Sequence, residues 1–248
     1  MQKEPLNILV TGASGEIGRR TAPLFAKTFH CRLTDIRAYP GEPPAEFVQA
    51  DLAEFDDVMR CCEGMDGIIH LGAAAGGPFD VCLRPNLIGA YNIFEAARQQ
   101  GVKRVAFAST MGVVKGYGPN PEKVLTADTP LRPNSIYAST KAWAEALGRM
   151  YSDNYGLSAI FIRIGAFHEY AHEGGSVSRK LFRRWASPGD LAQLFSRAIL
   201  APPEVKFGIF YGVSNNCLTI CDIQAARAVL GYDPQDRPEE QPWVEVND

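Results

Sequence analysis

The sequence predicts an α/β fold, a Rossmann-like doubly wound parallel sheet with a small C-terminal substrate-binding lobe. Three observations predict it. Short apolar runs alternate with helical stretches from Leu6 to Ile164, the rhythm of strand–helix–strand units. The first run passes into a glycine-rich turn, Thr11-Gly12-Ala13-Ser14-Gly15-Glu16-Ile17-Gly18, which opens a helix. After Ile164 the alternation stops, and residues 165–186 are irregular and basic. The chain therefore divides into a dinucleotide-binding core over 1–164 and a small lobe over 165–248. The two are expected to pack as one unit.

The elements follow in order. Leu6 to Val10 is a buried strand, and Gly18 to Phe29 is a helix with apolar points at Ala22, Leu24, Phe25 and Phe29. Cys31 to Thr34 is a second strand, closed by Asp35. Phe47 to Ala50 is a third, running into Asp51-Leu52. A helix over Asp56 to Cys62 leads to a fourth strand, Gly67 to Leu71. Asn86 to Gln100 is helical, with Ile88, Tyr91, Ile93, Phe94 and Ala97 spaced for burial, and Gly101 ends it. Val102 to Ala108 is a fifth strand, and a Gly/Pro-rich loop spans 112–133. A helix carrying Tyr137 precedes a sixth strand, Ser158 to Ile164. In the tail, Ser187-Pro188-Gly189-Asp190 reads as a capped helix start, with Asp190 placed to answer the cap's own N–H. A strand over Phe207 to Val213 and a helix over Ile220 to Leu230 complete the chain.

Bulk properties exclude several classes. With 248 residues, 46% hydrophobic and 21% charged, the chain has ordinary globular composition. It is long enough to hold a core without metal or disulfide. A net charge of -3 with scattered cations does not favour nucleic acid or an anionic membrane. Cysteines 31, 61, 62, 82, 217 and 221 form neither a CxxC pair nor a zinc set with histidine. Such thiols, with no apolar leader after the N-terminus, fit a reducing cytoplasm. No run approaches a membrane span.

The motifs carry the chemistry. Glycines between a strand and a helix let the backbone turn sharply and approach a pyrophosphate at the helix N-terminus. A tight turn without ligand is the plain alternative. Asp35 stands where an acid can bond the adenosine ribose hydroxyls and repel a 2′-phosphate, which favours NAD. Arg37, two residues on, leaves NADP open. Asp51 can bond the adenine amino group or cap the next helix, and the sequence alone leaves these even. Small residues from Leu71 to Ala74 let a cofactor lie against the backbone. His70 falls inside an apolar strand and reads as a core histidine. Histidines 30, 168 and 172 lack ligand spacing.

Tyr137 and Lys141 lie one turn apart on one helix face. A free phenol, with a pKa of about 10, is a poor base at neutral pH. A neighbouring ammonium favours the phenolate, which could take a proton from an alcohol as hydride departs to nicotinamide. Thr110 ends the fifth strand at the carboxyl edge of the sheet, where ligands bind. Its hydroxyl can orient the substrate oxygen.

Taken together, TGASGEIG at 11–18, Asp35, Asp51-Leu52, HLGAAA at 70–75, NLIGAYNIFEAA at 86–97, FAST at 107–110 and YASTK at 137–141 resemble the extended short-chain dehydrogenase/reductase family, the NAD-dependent epimerases and dehydratases. The resemblance covers most of residues 6–190. It implies a catalytic set of Thr110, Tyr137 and Lys141, with Lys141 also bonding the nicotinamide ribose. It implies cofactor contacts at Gly12, Gly15, Glu16, Ile17, Gly18, Asp35, Asp51, Leu52, Leu71, Ala73, Tyr137, Lys141 and Ile164. Ser109 would be a neighbouring substrate contact, and Asn86 a polar support. Within the family the chain is most similar to the uronate dehydrogenases, through IRIG at 162–165, the surroundings of Trp185, YGVSNN at 211–216 and LGYDPQD at 230–236.

That likeness implies oxidation of C1 of a cyclic hexuronate with NAD, giving an aldarolactone. A substrate carboxylate needs a cation, ideally an arginine fork. Arg179 is the first candidate and Lys180 the second. Equally, Arg179, Lys180, Arg183 and Arg184 could form a solvated face. MGVVKGYG at 111–118 is more apolar than a uronate site requires, and FHEYAHEGGSVS at 167–178 departs from the pattern. Two other functions share the early motifs. A sugar-nucleotide epimerase or dehydratase would recycle its NAD, but such enzymes carry a larger nucleotide-binding lobe. A non-catalytic NAD-sensing module would tend to lose the tyrosine or lysine. Relatives dimerise through the helices corresponding to 86–100 and 137–152, which implies a homo-oligomer.

Overall fold

The apolar runs are strands because consecutive side chains must be buried on opposite faces of one sheet. The computed structural model describes residues 4–167, 176–178, 182–216, 219–240 and 245–247. In the core, β1 (Asn7–Thr11), α1 (Glu16–Phe25), β2 (His30–Asp35), β3 (Glu46–Gln49), α2 (Phe55–Cys62) and β4 (Gly67–His70) form the first half. The second half holds α3 (Phe79–Cys82), α4 (Gly89–Gln99), β5 (Arg104–Thr110), α5 (Ile136–Tyr155) and β6 (Ser158–Ile164). The tail adds β7 (Ala166–Phe167), β8 (Ser176–Ser178), β9 (Trp185–Ala186), α6 (Pro188–Leu200), β10 (Phe207–Gly212), α7 (Gln224–Leu230) and β11 (Glu245–Asn247).

The main sheet has seven strands in the order β10-β6-β5-β4-β1-β2-β3, and every pairing is parallel. The strand order reverses between β1 and β4, so a crevice opens there at the carboxyl ends. Alternation within each strand divides the core. Ile8, Val10, Ile160 and Ile162 join Phe25, Leu194 and Phe195 on one face. Leu9, Ala159 and Phe161 join Val58, Ile93, Phe94 and Tyr151 on the other. The tail thus supplies the seventh strand and a covering helix. It also forms two small parallel pairs, β7 with β9 and β8 with β11.

Several expected boundaries move. α1 starts at Glu16, two residues early, and ends at Phe25. The predicted helix over 86–100 is the end of a longer one. α3 enters it through a wide π-helical turn, Leu83–Ile88, holding Pro85, which lacks a backbone N–H. Within it Ile93, Phe94 and Ala97 are buried, but Ile88 and Tyr91 are exposed. The expected loop after β5 begins with a 3₁₀ segment, Met111–Tyr117. The last helix starts at Gln224 rather than Ile220. Ser187 caps α6 as expected, accepting from the Asp190 N–H at 3.1 Å. The reciprocal half of that box does not form. Ser187 N donates instead to the Ser214 hydroxyl. Asp190 instead accepts the Gln235 and Asp236 N–H groups, which ties down the tail.

Candidate active site

The crevice is built first by the turn between β1 and α1. Gly12 has φ 69°, a left-handed conformation that disfavours side chains. A Cβ there would lie 2.5 Å from the Gly72 nitrogen. The Thr11 hydroxyl accepts from Gly72 N at 3.2 Å and bonds His70 Nδ1 at 2.8 Å. His70 is thus a buried bracket across the β1–β4 gap, and burial holds its imidazole neutral by pushing its pKa well down. Gly15 caps α1 without any side-chain cap. The first N–H groups of that helix are left for another acceptor, which suits a pyrophosphate.

Two adjoining cavities follow the crevice. One, of about 530 Å³, has walls from Gly12, Gly15, Asp35, Asp51, Leu52, Leu71 and Ala73. Asp35 is nearly buried. It accepts the N–H groups of Ser14 and Arg37 at 3.1 Å each, with the Arg37 guanidinium 3.6 Å away. Asp51 accepts from Ala53 N at 2.8 Å and pairs with Arg84 at 3.2 Å. It does not cap α2, whose cap residue is Glu54. The second cavity, of about 210 Å³, gathers Gly12, Gly15, Glu16, Ile17, Gly18, Leu71, Ala73, Ser109, Thr110, Tyr137, Lys141 and Ile164. Every predicted cofactor position therefore borders one of two joined spaces. Together they connect the Asp35 end of the crevice to its Tyr137 end.

α5 sets the chemical groups. Ser135 caps it, accepting from Ala138 N at 3.1 Å, so Tyr137 falls in the first turn and Lys141 one turn later. Thr110 ends β5 opposite Ile164, and its hydroxyl accepts from Gly112 N at 3.0 Å. Lys141 is 2% exposed. Its ammonium nitrogen stands 4.9 Å from the Phe107 ring centroid and 5.9 Å from that of Tyr137. Asn86, inside the π turn, accepts from Ala74 N and donates to Ala74 O and to the Thr140 hydroxyl. It clamps the loop after β4 to α5 beside Lys141.

The electrostatics reverse one expectation. Burial, with a smaller contribution from Cys82, pushes the Tyr137 phenol up to about 12. Burial pushes Lys141 down to about 7. Desolvation penalises each charged form alone, so the lysine does not lower the phenol as its spacing suggests. Burial of the site thus favours the neutral phenol and works against the ammonium.

Ser109 borders the second cavity but is buried, and its hydroxyl donates to Glu145 at 2.6 Å. Glu145, one turn beyond Lys141, is paired with Arg163 from β6 at 2.8 Å, and both are buried. This support went unread in the sequence, because Arg163 lies inside the apolar run SAIFIRI. Arg179 and Lys180 lie outside the described residues. Arg184 from the same basic cluster lines a third cavity of about 480 Å³, together with Thr110, Tyr137 and Lys115. Nothing in the spacing of that cluster distinguished it. Among the described residues no group of His, Cys, Asp or Glu could hold a metal. Among the described residues no helix is long and apolar enough to cross a membrane.

Comparison with known proteins agrees with this geometry. Residues 8–189 match the model of the NAD dependent epimerase/dehydratase family. A uronate dehydrogenase of Pseudomonas syringae pv. tomato is 37% identical over 95% of this chain and 84% of its own length. An NAD-dependent glucose-6-phosphate dehydrogenase of Haloferax volcanii is 32% identical over 94% of each chain. The crystal structure of a tyrosine-to-alanine mutant of uronate dehydrogenase from Agrobacterium tumefaciens, complexed with NAD, superposes with a TM-score of 0.83. It is 33% identical over 94% of this chain and 86% of that one.

Proposed function

This chain belongs to the NAD-dependent epimerase/dehydratase family, and from that premise we propose that it is an NAD-dependent dehydrogenase oxidising C1 of a hexuronate to an aldarolactone. One observation carries the reading. Thr110, Tyr137 and Lys141 border a single space with the glycine turn, and that space adjoins a cavity large enough for a sugar. Bound NAD supplies the hydride acceptor. The backbone of Gly12, Gly15, Glu16, Ile17 and Gly18 holds its pyrophosphate. Asp35 takes the adenosine ribose, Asp51 and Leu52 flank the adenine, and Leu71, Ala73 and Ile164 wall the nicotinamide.

Thr110 donates to or accepts from the C1 hydroxyl and fixes its direction. Tyr137 takes the hydroxyl proton. Burial alone disfavours both the phenolate and the ammonium, so the phenolate that accepts the proton is favoured only with a positive charge beside it, which protonated Lys141 supplies. Lys141 also bonds the nicotinamide ribose. From the tail, Gly165, Ala166, Arg184 and Ile220 wall the substrate cavity. Relatives spanning nearly the whole chain are named as dehydrogenases, and an epimerase reading is not favoured. Exposed Tyr91, Trp143 and Met150 on α4 and α5 support a homo-oligomer through these helices. Among the described residues five buried thiols stand outside any disulfide, which supports a cytoplasmic location.

The test is Tyr137→Phe assayed with galacturonate and glucuronate by NADH absorbance. Turnover should fall by a factor of about 100 or more, while NAD affinity is retained. Unchanged turnover removes the tyrosine from the mechanism, and NADH formation from neutral sugars alone removes the uronate.

A further inference from the structure

We propose that Arg184 receives the anionic group of the substrate and thereby sets specificity for an acidic sugar over a neutral one. The inference rests on reading the cavity beside Tyr137 as the substrate site. Among the described residues the charged groups lining this cavity are Lys115 and Arg184, and no carboxylate joins them. A small cavity with only cations in its wall concentrates an anion. The two cations differ in kind. Arg184 presents a planar fork suited to two oxygens, and Lys115 a point charge.

Arg184 is also held in place with a donor unused. Its Nε is buried and has no hydrogen-bond partner among the described residues. A buried donor without an acceptor is unfavourable, and the negative charge of an anion held by the same guanidinium would offset that cost. Its neighbour Arg183 is engaged elsewhere, donating to Asn120. The backbone around Arg184 is fixed from both sides. Ala166 N donates to Arg184 O at 2.7 Å, and Ser214 N donates to Trp185 O at 2.8 Å. Asn216 also donates to Trp185 O, at 3.1 Å. Gly165 permits this approach, because a Cβ there would overlap the Arg184 carbonyl. The side chain therefore starts from a fixed backbone beside the carboxyl end of β6 and lines the same cavity as Tyr137.

The test compares the protein with Arg184→Gln and Arg184→Lys, each checked for NAD affinity and thermal unfolding. The readout is kcat/KM for galacturonate relative to galactose. In Arg184→Gln that ratio should fall about 10- to 100-fold, mostly through KM, and Arg184→Lys should recover part of it. Calorimetry of galacturonate with the NAD-bound Tyr137→Phe enzyme gives the same comparison without turnover. There, adding Arg184→Gln should weaken binding at least tenfold. Glucose 6-phosphate against glucose forms a second arm. If the unaltered protein prefers the phosphate and Arg184→Gln removes that preference, the arginine inference stands and the hexuronate reading falls. Equal losses for acid and neutral sugar overturn the inference, as does an unaltered protein with no preference for an acid.

Discussion

Glu145→Gln should be among the most damaging single changes outside the cavities. Glu145 and Arg163 have side chains 5% and 2% exposed. The carboxylate accepts from Arg163 Nε at 2.9 Å, from Arg163 Nη2 at 2.8 Å and from the Ser109 hydroxyl at 2.6 Å. An amide can still take two of those donors, but its nitrogen then faces a guanidinium N–H. More important, Arg163 is left as an uncompensated buried cation. Breaking one side of such a pair costs about 3–5 kcal/mol, or roughly 6–20 °C in Tm for a chain of this size. Replacing both partners with apolar residues should cost far less, about 1–2 kcal/mol at most. Urea and thermal unfolding of Glu145→Gln and of the double variant Glu145→Leu/Arg163→Met would measure both. The pair also reaches the substrate cavity. Arg163 bonds the Tyr211 hydroxyl, which donates to Thr126 O beside Leu125 in the cavity wall. Hence KM should rise in the single variant. A loss below about 1 kcal/mol would refute the argument, and so would a double variant as unstable as the single one.

Two further outcomes follow from the site. Lys141→Met should stabilise the cofactor-free protein at neutral pH while abolishing turnover. Between about pH 7 and the ordinary lysine range the unfolded chain holds a proton that the folded site releases. The Lys141 contribution therefore rises with pH across that window and is least favourable below it. The gain from Lys141→Met should accordingly be on the order of a few kcal/mol near pH 6 and shrink toward pH 9, as read by urea unfolding. Tyr137 contributes the opposite slope only above its ordinary range, because its folded phenol keeps its proton there. A gain that does not change with pH would show that the amine is not desolvated. Gly12→Ala should both destabilise the protein and abolish NAD binding. The overlap with Gly72 N costs about 1–3 kcal/mol, and left-handed strain adds about 1–2 kcal/mol. Isothermal titration with NAD and a thermal scan check it, and near-normal affinity would show that the turn yields.

Much of this molecule was legible before folding. Period-2 burial of Ile8-Leu9-Val10 on opposite faces, the glycines of the first turn, and the four-residue step from Tyr137 to Lys141 are local patterns. Backbone geometry converts such patterns directly into place. They determined the parallel sheet, the crevice at its carboxyl edge and the three groups brought beside it. Distant pairings lacked any local signal. Arg163 looks like an error in an apolar strand until Glu145 comes opposite it, and Ser109 looks free until the same carboxylate accepts its hydrogen bond. Arg184 is one of four basic residues until Gly165 and Ser214 fix its backbone against the cavity. The direction of the Tyr137 and Lys141 shifts was likewise undetermined by their spacing. Spacing sets which charges are neighbours, but desolvation depends on how much of the rest of the chain covers them. Only the tertiary structure decides that.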